Sequence, residues 1–185
     1  MANVDHPHGL NAVMSRFHDT PRMTKYKAHV NTTTPVGLFR GDIAQLMATG
    51  KVKTITTTTG VDAVIGVIAG PYLSALAAND DKDVFVYDDP DTIYEIQSDG
   101  TTDPGSTTAQ GHIGNQVPVL LTAGSAASGQ SQVELDYSAL TTGTADALQI
   151  VGHYDLVGND MTLAHARYLV KLVKHLHGAP SASVI

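Results

Sequence analysis

Three groups of side chains in this chain are of types that could do chemistry. His6-Pro7-His8 and His175-Leu176-His177 each set two imidazoles two residues apart, near opposite ends of the chain. On a strand such a pair shares a face and could grip Zn²⁺ if a third ligand converged. Asp88, Asp89, Asp91 and Glu95 put four carboxylates into one short stretch, the kind of hard oxygen set that suits Ca²⁺ or, as a pair, acid–base work. Each group has a plainer reading that outweighs the chemical one. Pro7 makes the first pair unlike a regular strand, and no third ligand is placed by spacing, so these are read as surface or interface histidines. The acidic stretch lacks the glycine and closing glutamate of an EF-hand loop and carries Pro90 instead. No Lys or Arg occurs between Asp83 and Ala166 to act as its partner. A turn tip is where acids are usually just solvated. No metal and no cofactor is expected.

Motifs for covalent or nucleotide chemistry are missing. The chain has no Cys and no G-x-S-x-G, which removes the common activated nucleophiles. TAGSAASG and QSDGTTDPGS are rich in glycine but lack the Lys-Ser/Thr ending of a P-loop and the strand-to-helix context of a dinucleotide fingerprint; they read as turns. With no Trp and dispersed Tyr and Phe, there is no stacking platform for single-stranded nucleic acid. The expectation is a protein that is not an enzyme.

The elements that would position these residues are mostly strands. Val84–Tyr87 and Ile93–Gln97, rich in β-branched and aromatic residues, flank Asp88-Asp89-Pro90-Asp91 and read as a surface hairpin with an acidic tip. Further strands are expected at Val36–Arg40, Ile43–Met47, Val52–Thr59, Ala63–Ala69, Val117–Thr122, Val133–Tyr137 and Ala147–Asp155. Of these, Ala63–Ala69 and Ala147–Val151 should be central and buried. Val133, Leu135 and Tyr137 share one face by period-two alternation. Ala164–Leu176 fits either a helix or a closing strand, and its β-branched and aromatic content favours the strand. Residues 1–31 show neither period and read as an extended N-terminal arm, in which Leu10–Phe17 could form a helical turn or two with Leu10, Val13, Met14 and Phe17 on one face. The fold class is therefore all-β, an antiparallel β-barrel or sandwich spanning residues 32–185 with a short C-terminal tail, preceded by the arm.

The chain is 185 residues long with a net charge of −7, one domain's worth and able to bury a core without disulfide staples. The charge is uneven. Residues 1–53 hold seven Lys/Arg against three Asp; residues 80–166 hold fourteen Asp/Glu against Lys82 alone; Arg167, Lys171 and Lys174 make a basic end. An acidic body is a poor match to phosphate backbones, so nucleic acid is not an expected partner. Basic ends flanking it suit an acidic protein surface. No run is long enough to span a bilayer, and no signal-peptide pattern opens the sequence. A membrane is not an expected partner either.

Four stretches, in order, carry a family likeness. MANVDHPHGL at the start, VFVYDDPDTIYEIQSDG in the middle, and GQSQVELDYSALTTGTADALQIVGHYDLVGND followed by AHARYLVKLVKHLH resemble tailed-phage head proteins that decorate or cement the capsid. The resemblance runs almost end to end, although no single piece is a chemical motif. It implies a structural virion protein on the outer surface of a phage head, made in the host cytoplasm, which binds the major capsid protein as many copies, each a homo-oligomer (dimer or trimer). In that setting the arm is the expected capsid contact. Its basic residues Arg16, Arg22, Lys25 and Lys27 would meet carboxylates, Leu10, Val13, Met14 and Phe17 would fill apolar grooves, and His6, Pro7 and His8 would lie at the interface. Removal of the arm should then leave a folded body. The alternative is a head or tail module recognising a host glycan, for which Tyr72, Tyr87, Tyr94 and Tyr137 are the suppliers of exposed rings.

Overall fold

A computed structural model describes residues 3–15, 19–29, 37–57, 64–73, 81–100, 112–140 and 147–178. Within them the protein is all-β and antiparallel, built as two five-stranded sheets and a two-stranded ribbon. The strands are β1 (Asn11–Met14), β2 (Met23–Lys27), β3 (Ile43–Leu46), β4 (Val52–Thr54), β5 (Val64–Gly70), β6 (Asp83–Tyr87), β7 (Ile93–Gln97), β8 (Gln116–Val117), β9 (Val119–Leu120), β10 (Glu134–Leu135), β11 (Leu148–His153) and β12 (Arg167–Leu172). Sheet one runs β1-β7-β12-β11-β8, sheet two runs β2-β6-β5-β3-β4, and β9 pairs with β10.

The main core lies between the sheets. Tyr94 and Ile96 of β7, Leu148 and Ile150 of β11, and Tyr168, Val170 and Leu172 of β12 meet Ile43 of β3 and Val64 and Val67 of β5. A register shift opposite Ala44/Gln45 puts Val64 and Val67 of β5, three residues apart, on the same face, whereas in β7, β11 and β12 this is the face that period-two alternation assigns. It settles the C-terminal ambiguity, because Tyr168, Val170 and Leu172 are buried together on a strand paired with both β7 and β11. Val133, Leu135 and Tyr137 are likewise buried in this core.

Sheet two buries its other face as well. Ile65 and Ile68 of β5, Val84 and Val86 of β6, Ala44 of β3 and Val52 of β4 form a second apolar cluster with Ala28 and Leu38. The sheet coils around this cluster until its two outer strands meet at a single bridge, Ala28 with Val52, where the His29 amide donates to the Val52 carbonyl at 2.7 Å. A strand buried on both faces reads as an unbroken apolar run, and Val64-Ile65-Gly66-Val67-Ile68 in β5 is that run. Each fully buried Ile or Val stabilises by about 1.5–3 kcal/mol.

Two expectations need correcting. The acidic stretch is not a hairpin: β6 belongs to sheet two and β7 to sheet one, so Asp88–Thr92 carries the chain across a corner of the sandwich. Asp89 shapes that corner by accepting the Asp91 amide on its side chain at 2.9 Å and the Thr92 amide on its carbonyl at 3.1 Å. Asp88 is buried rather than solvated, where it accepts a hydrogen bond from the Tyr26 hydroxyl at 3.0 Å.

The N-terminal segment is extended but does not stand apart from the body. β1 pairs with β7 as one edge of sheet one, and β2 pairs with β6 as one edge of sheet two. Leu10–Phe17 is therefore no helix where it is described; Asn11–Met14 is a strand, and pairing with a ready sheet edge outcompetes a helix too short to stand alone. The boundary drawn at residue 31 consequently does not separate an arm from a body.

Candidate functional site: a polar seam under the N-terminal segment

In β7 the core-facing Tyr94 and Ile96 alternate with Glu95 and Gln97, which point to the opposite face of sheet one. Polar residues there should meet water, yet Glu95 is 3% exposed and Gln97 is 1% exposed. The cover is the N-terminal segment itself. Asn3 pins one end, its amide donating to the carbonyls of Asp160 and Ala164 at 2.8 and 2.9 Å. The His6 amide donates to Gln97 Oε1 at 3.1 Å, and His8 Nε2 reaches Glu95 Oε2 at 2.9 Å.

The chain lies this close because of two glycines. Gly9 and Gly41 have φ of +70° and +95°, and their backbones press together. A Cβ on Gly9 would stand 2.6 Å from the Gly41 carbonyl oxygen, and one on Gly41 would stand 2.7 Å from the His8 oxygen. Both positions need glycine for conformation and for space. The contact is locked by the Leu10 amide donating to the Gly41 carbonyl at 3.0 Å and by Leu10 entering the inter-sheet core. As a result His8 and Arg40, the residues just before each glycine, come to flank one cleft.

That cleft, about 290 Å³, is lined by His6, His8, Leu10, Asn11, Arg40, Glu95, Gln130 and Arg167. Arg167 stands opposite Gln97 in the β7–β12 register and so on the same face as Glu95, with its Nε 3.5 Å from Glu95 Oε1. Both ring nitrogens of His8 face acceptors: Glu95 at Nε2, and the His6 carbonyl at Nδ1, 3.0 Å away. A ring with two acceptors is best served by carrying both protons. The Glu95 hydrogen bond accordingly holds the His8 pKa above its ordinary value, helped by the His6 carbonyl and opposed by burial.

Further along the seam, Asp5, Glu134 and His165 bring one potential metal-ligand atom each to within 4.8 Å of one another. The Gln97 amide nitrogen faces the same space, 3.2 Å from Asp5 Oδ1, 3.4 Å from Glu134 Oε1 and 3.3 Å from His165 Nδ1. Since the His6 amide fixes Gln97 Oε1 on the other side, it is the NH₂ group, with two protons to donate, that faces these three groups in the place a cation would take. Burial, and then the neighbouring Asp5 charge, push the Glu134 pKa up.

The expected contact residues scatter. His6, Pro7 and His8 belong to the seam. Leu10 is in the core and Val13 and Met14 are half-buried in β1, so none of these three is a free apolar anchor. Arg22, Lys25 and Lys27 are exposed, but they pair with carboxylates of their own chain: Arg22 with Asp88 at 3.6 Å, Lys25 and Lys27 with Asp83 at 3.4 and 2.6 Å. Arg16 and Phe17 lie outside the described residues. His175 and His177 do not line the cleft and contact each other, with the His177 amide donating to His175 Nδ1 at 3.1 Å.

Sequence reasoning missed Arg40, Glu95, Gln97, Glu134, His165 and Arg167 as members of one site. The one available signal was the pair His8-Gly9 and Arg40-Gly41, since a glycine beside a charged or titratable residue marks a place where another backbone can come close. The chain matches no protein-family model, no curated protein and no solved structure.

Proposed function

We propose that this protein is a structural virion component that binds the major capsid protein on the outside of a tailed-phage head and cements it, acting as many copies and with no catalytic step. The four ordered stretches that resemble such head proteins support this reading, as does an antiparallel sandwich, a rigid body suited to repeated modest contacts.

The observation that carries it is an apolar group left open at one end of the sandwich. Val4 (73% exposed), Leu156 (45%) and Val157 (100%) border one shallow cavity of about 170 Å³ beside Asn3, His165 and Arg167. Exposed aliphatic side chains gathered at one cavity and rimmed by polar residues favour a protein contact there. The contact thus moves from a free arm to the place where the pinned N-terminal segment meets the Leu156–Asn159 turn. The glycan reading draws less support, since Tyr94 and Tyr137 are buried in the core and Tyr72 stacks on Phe39 at 4.9 Å.

The test is co-sedimentation with empty heads of the phage concerned. The wild-type chain should pellet with heads, and Val4→Asp/Val157→Asp should stay in the supernatant while keeping the wild-type melting temperature. A wild-type chain that never pellets would overturn the function, and a double variant that pellets normally would overturn the surface. Neutralising Arg22, Lys25 and Lys27 should cause a milder, salt-sensitive loss, because rim charge mainly steers encounter.

A further inference from the structure

The cleft between the His6–Asn11 segment, the Arg40–Gly41 turn and sheet one has a polarity that its own chain leaves incomplete. Arg40 is exposed into it and makes no ion pair among the described residues. Arg167 gives only its Nε side to Glu95. The side chains of Asn11 and Gln130, each with an amide that can donate, also line it. Arg40 is held in place by its backbone, its amide donating to the Gly129 carbonyl at 3.1 Å and its carbonyl accepting the Ser131 amide at 2.9 Å. That pairing also brings Gln130 alongside.

Among the described residues that line the cleft, Glu95 is the one carboxylate. Glu95 is 97% buried by its 3% exposure; its Oε2 takes the His8 ring, while its buried Oε1 accepts no hydrogen bond. Two guanidinium groups, Arg40 and Arg167, and the His8 ring face one buried carboxylate.

We propose that this cleft is a carboxylate receptor in which the guanidinium groups of Arg40 and Arg167, with the amides of Asn11 and Gln130, clamp the carboxylate of an Asp or Glu side chain presented by a neighbouring polypeptide. Planar guanidinium groups suit a carboxylate because two parallel N–H bonds match its two oxygens. Glu95 works from below as a positioning residue: it fixes the His8 ring and the Arg167 stem so that the free edges of the donors face outward. The neighbouring polypeptide is the capsid subunit only if the proposed function holds; the clamp itself is a property of the cleft. A free small dicarboxylate would offer the same chemistry from a different source.

The experiment is NMR titration of the ¹⁵N-labelled full chain with three probes: a capped peptide containing one Glu, the same peptide with Gln, and succinate. The Glu peptide should shift the amides of Arg40, Gln130 and Arg167 saturably, and the Gln peptide should not. Arg40→Ala should weaken the Glu peptide about tenfold, equivalent to one charge-assisted hydrogen bond. Arg40→Lys should recover part of that loss, and Lys171→Ala, at the exposed position of β12 and outside the cleft lining, should bind as wild type. The Arg40 side chain is outside the core, so its variants keep the fold, which the unchanged spectrum elsewhere verifies. Equal binding of the Glu and Gln peptides, or full-strength binding by Arg40→Ala, would overturn the proposal. Succinate binding with no peptide binding would overturn the polypeptide source. If the Glu peptide binds as expected while the chain fails to pellet with heads, the clamp stands and the capsid reading falls.

Discussion

The two sheets share one core but cover their second faces by opposite means. Sheet two coils around Ile65, Ile68, Val84 and Val86, with Leu38 over them, so among the described residues its second face is filled by apolar side chains and its edges are joined by the Ala28–Val52 bridge. Sheet one closes its second face with the N-terminal segment, and what lies beneath is Glu95, Gln97 and Arg167 meeting Asp5, His6 and His8. Apolar burial is non-directional and tolerates small shifts. A polar seam holds only if each buried donor and acceptor finds its partner, and each missing partner costs about 1–3 kcal/mol. The seam is therefore the part of the fold that depends most on residues far apart in sequence.

The largest expected effect comes from removing the cover. Deletion of residues 1–30 takes away β1 and β2, an edge strand from each sheet, along with Leu10 and Ala28 from the two cores. It also opens Glu95 and Gln97 to water. The truncated chain should lose cooperative unfolding and become insoluble or molten, as followed by thermal circular dichroism and dye binding. A soluble truncation with a sharp transition would show that sheet one does not need its seam.

Next come single charges placed in apolar faces. Ile65→Asp and Ile150→Asp, both at positions with 0% exposure, would bury an unpaired carboxylate, at a cost on the order of 4 kcal/mol or unfolding outright. Ile65 probes the closed face of sheet two, and Ile150 the shared core. Denaturant melts that matched wild type for Ile65→Asp would mean that the second apolar cluster opens to solvent.

His8→Ala acts on the seam directly. It leaves the Glu95 carboxylate buried with Arg167 alone at 3.5 Å, and breaking a buried pair from one side should cost roughly 3 kcal/mol. Adding Glu95→Gln in the same chain removes the stranded charge and should recover much of that loss. If the double variant were less stable than His8→Ala alone by the full cost of a second independent mutation, the two groups would not be coupled.

How much of this could be read beforehand follows the same division. β5, β11 and β12 were legible because their apolar spacing is decided locally, and Tyr168, Val170 and Leu172 declare their face without reference to any neighbour. The corner at Asp88–Thr92 was not, because two adjacent strands with a turn between them have one signature whether they pair or part into separate sheets. Glu95 and Gln97 were not either, since alternation says which face a side chain takes and nothing about what later lies across it. The N-terminal strands β1 and β2 have little periodicity of their own and owe their form to edges made by β7 and β6.

The smallest expected effect, in pH, sharpens the contrast between the chain's two His-x-His pairs. His8 faces Glu95 and the His6 carbonyl, with Arg167 opposing and the His6 ring 6.5 Å away, and the Glu95 hydrogen bond raises its pKa. His175 is mostly buried; burial lowers its pKa, and the neighbouring His177 adds to that, against the weaker pull of the Ile65 carbonyl, Asp88 and Asp89. A histidine whose pKa is raised on folding stabilises fully below its unfolded value near 6.5, and that contribution is lost as the pH rises through the raised value. A histidine whose pKa is lowered does the reverse: stability is lost as the pH falls from about 6.5 through the depressed value. Together they should give wild type a stability maximum close to pH 6.5, declining on both sides. Glu95→Gln removes the main cause of the His8 shift and should flatten the alkaline limb while leaving the acidic one. His175→Gln should flatten the acidic limb and leave the alkaline one. Denaturation midpoints across pH 5 to 8 for the three proteins would resolve the two limbs, and an alkaline limb that persisted in Glu95→Gln would mean that its source is not the His8 ring.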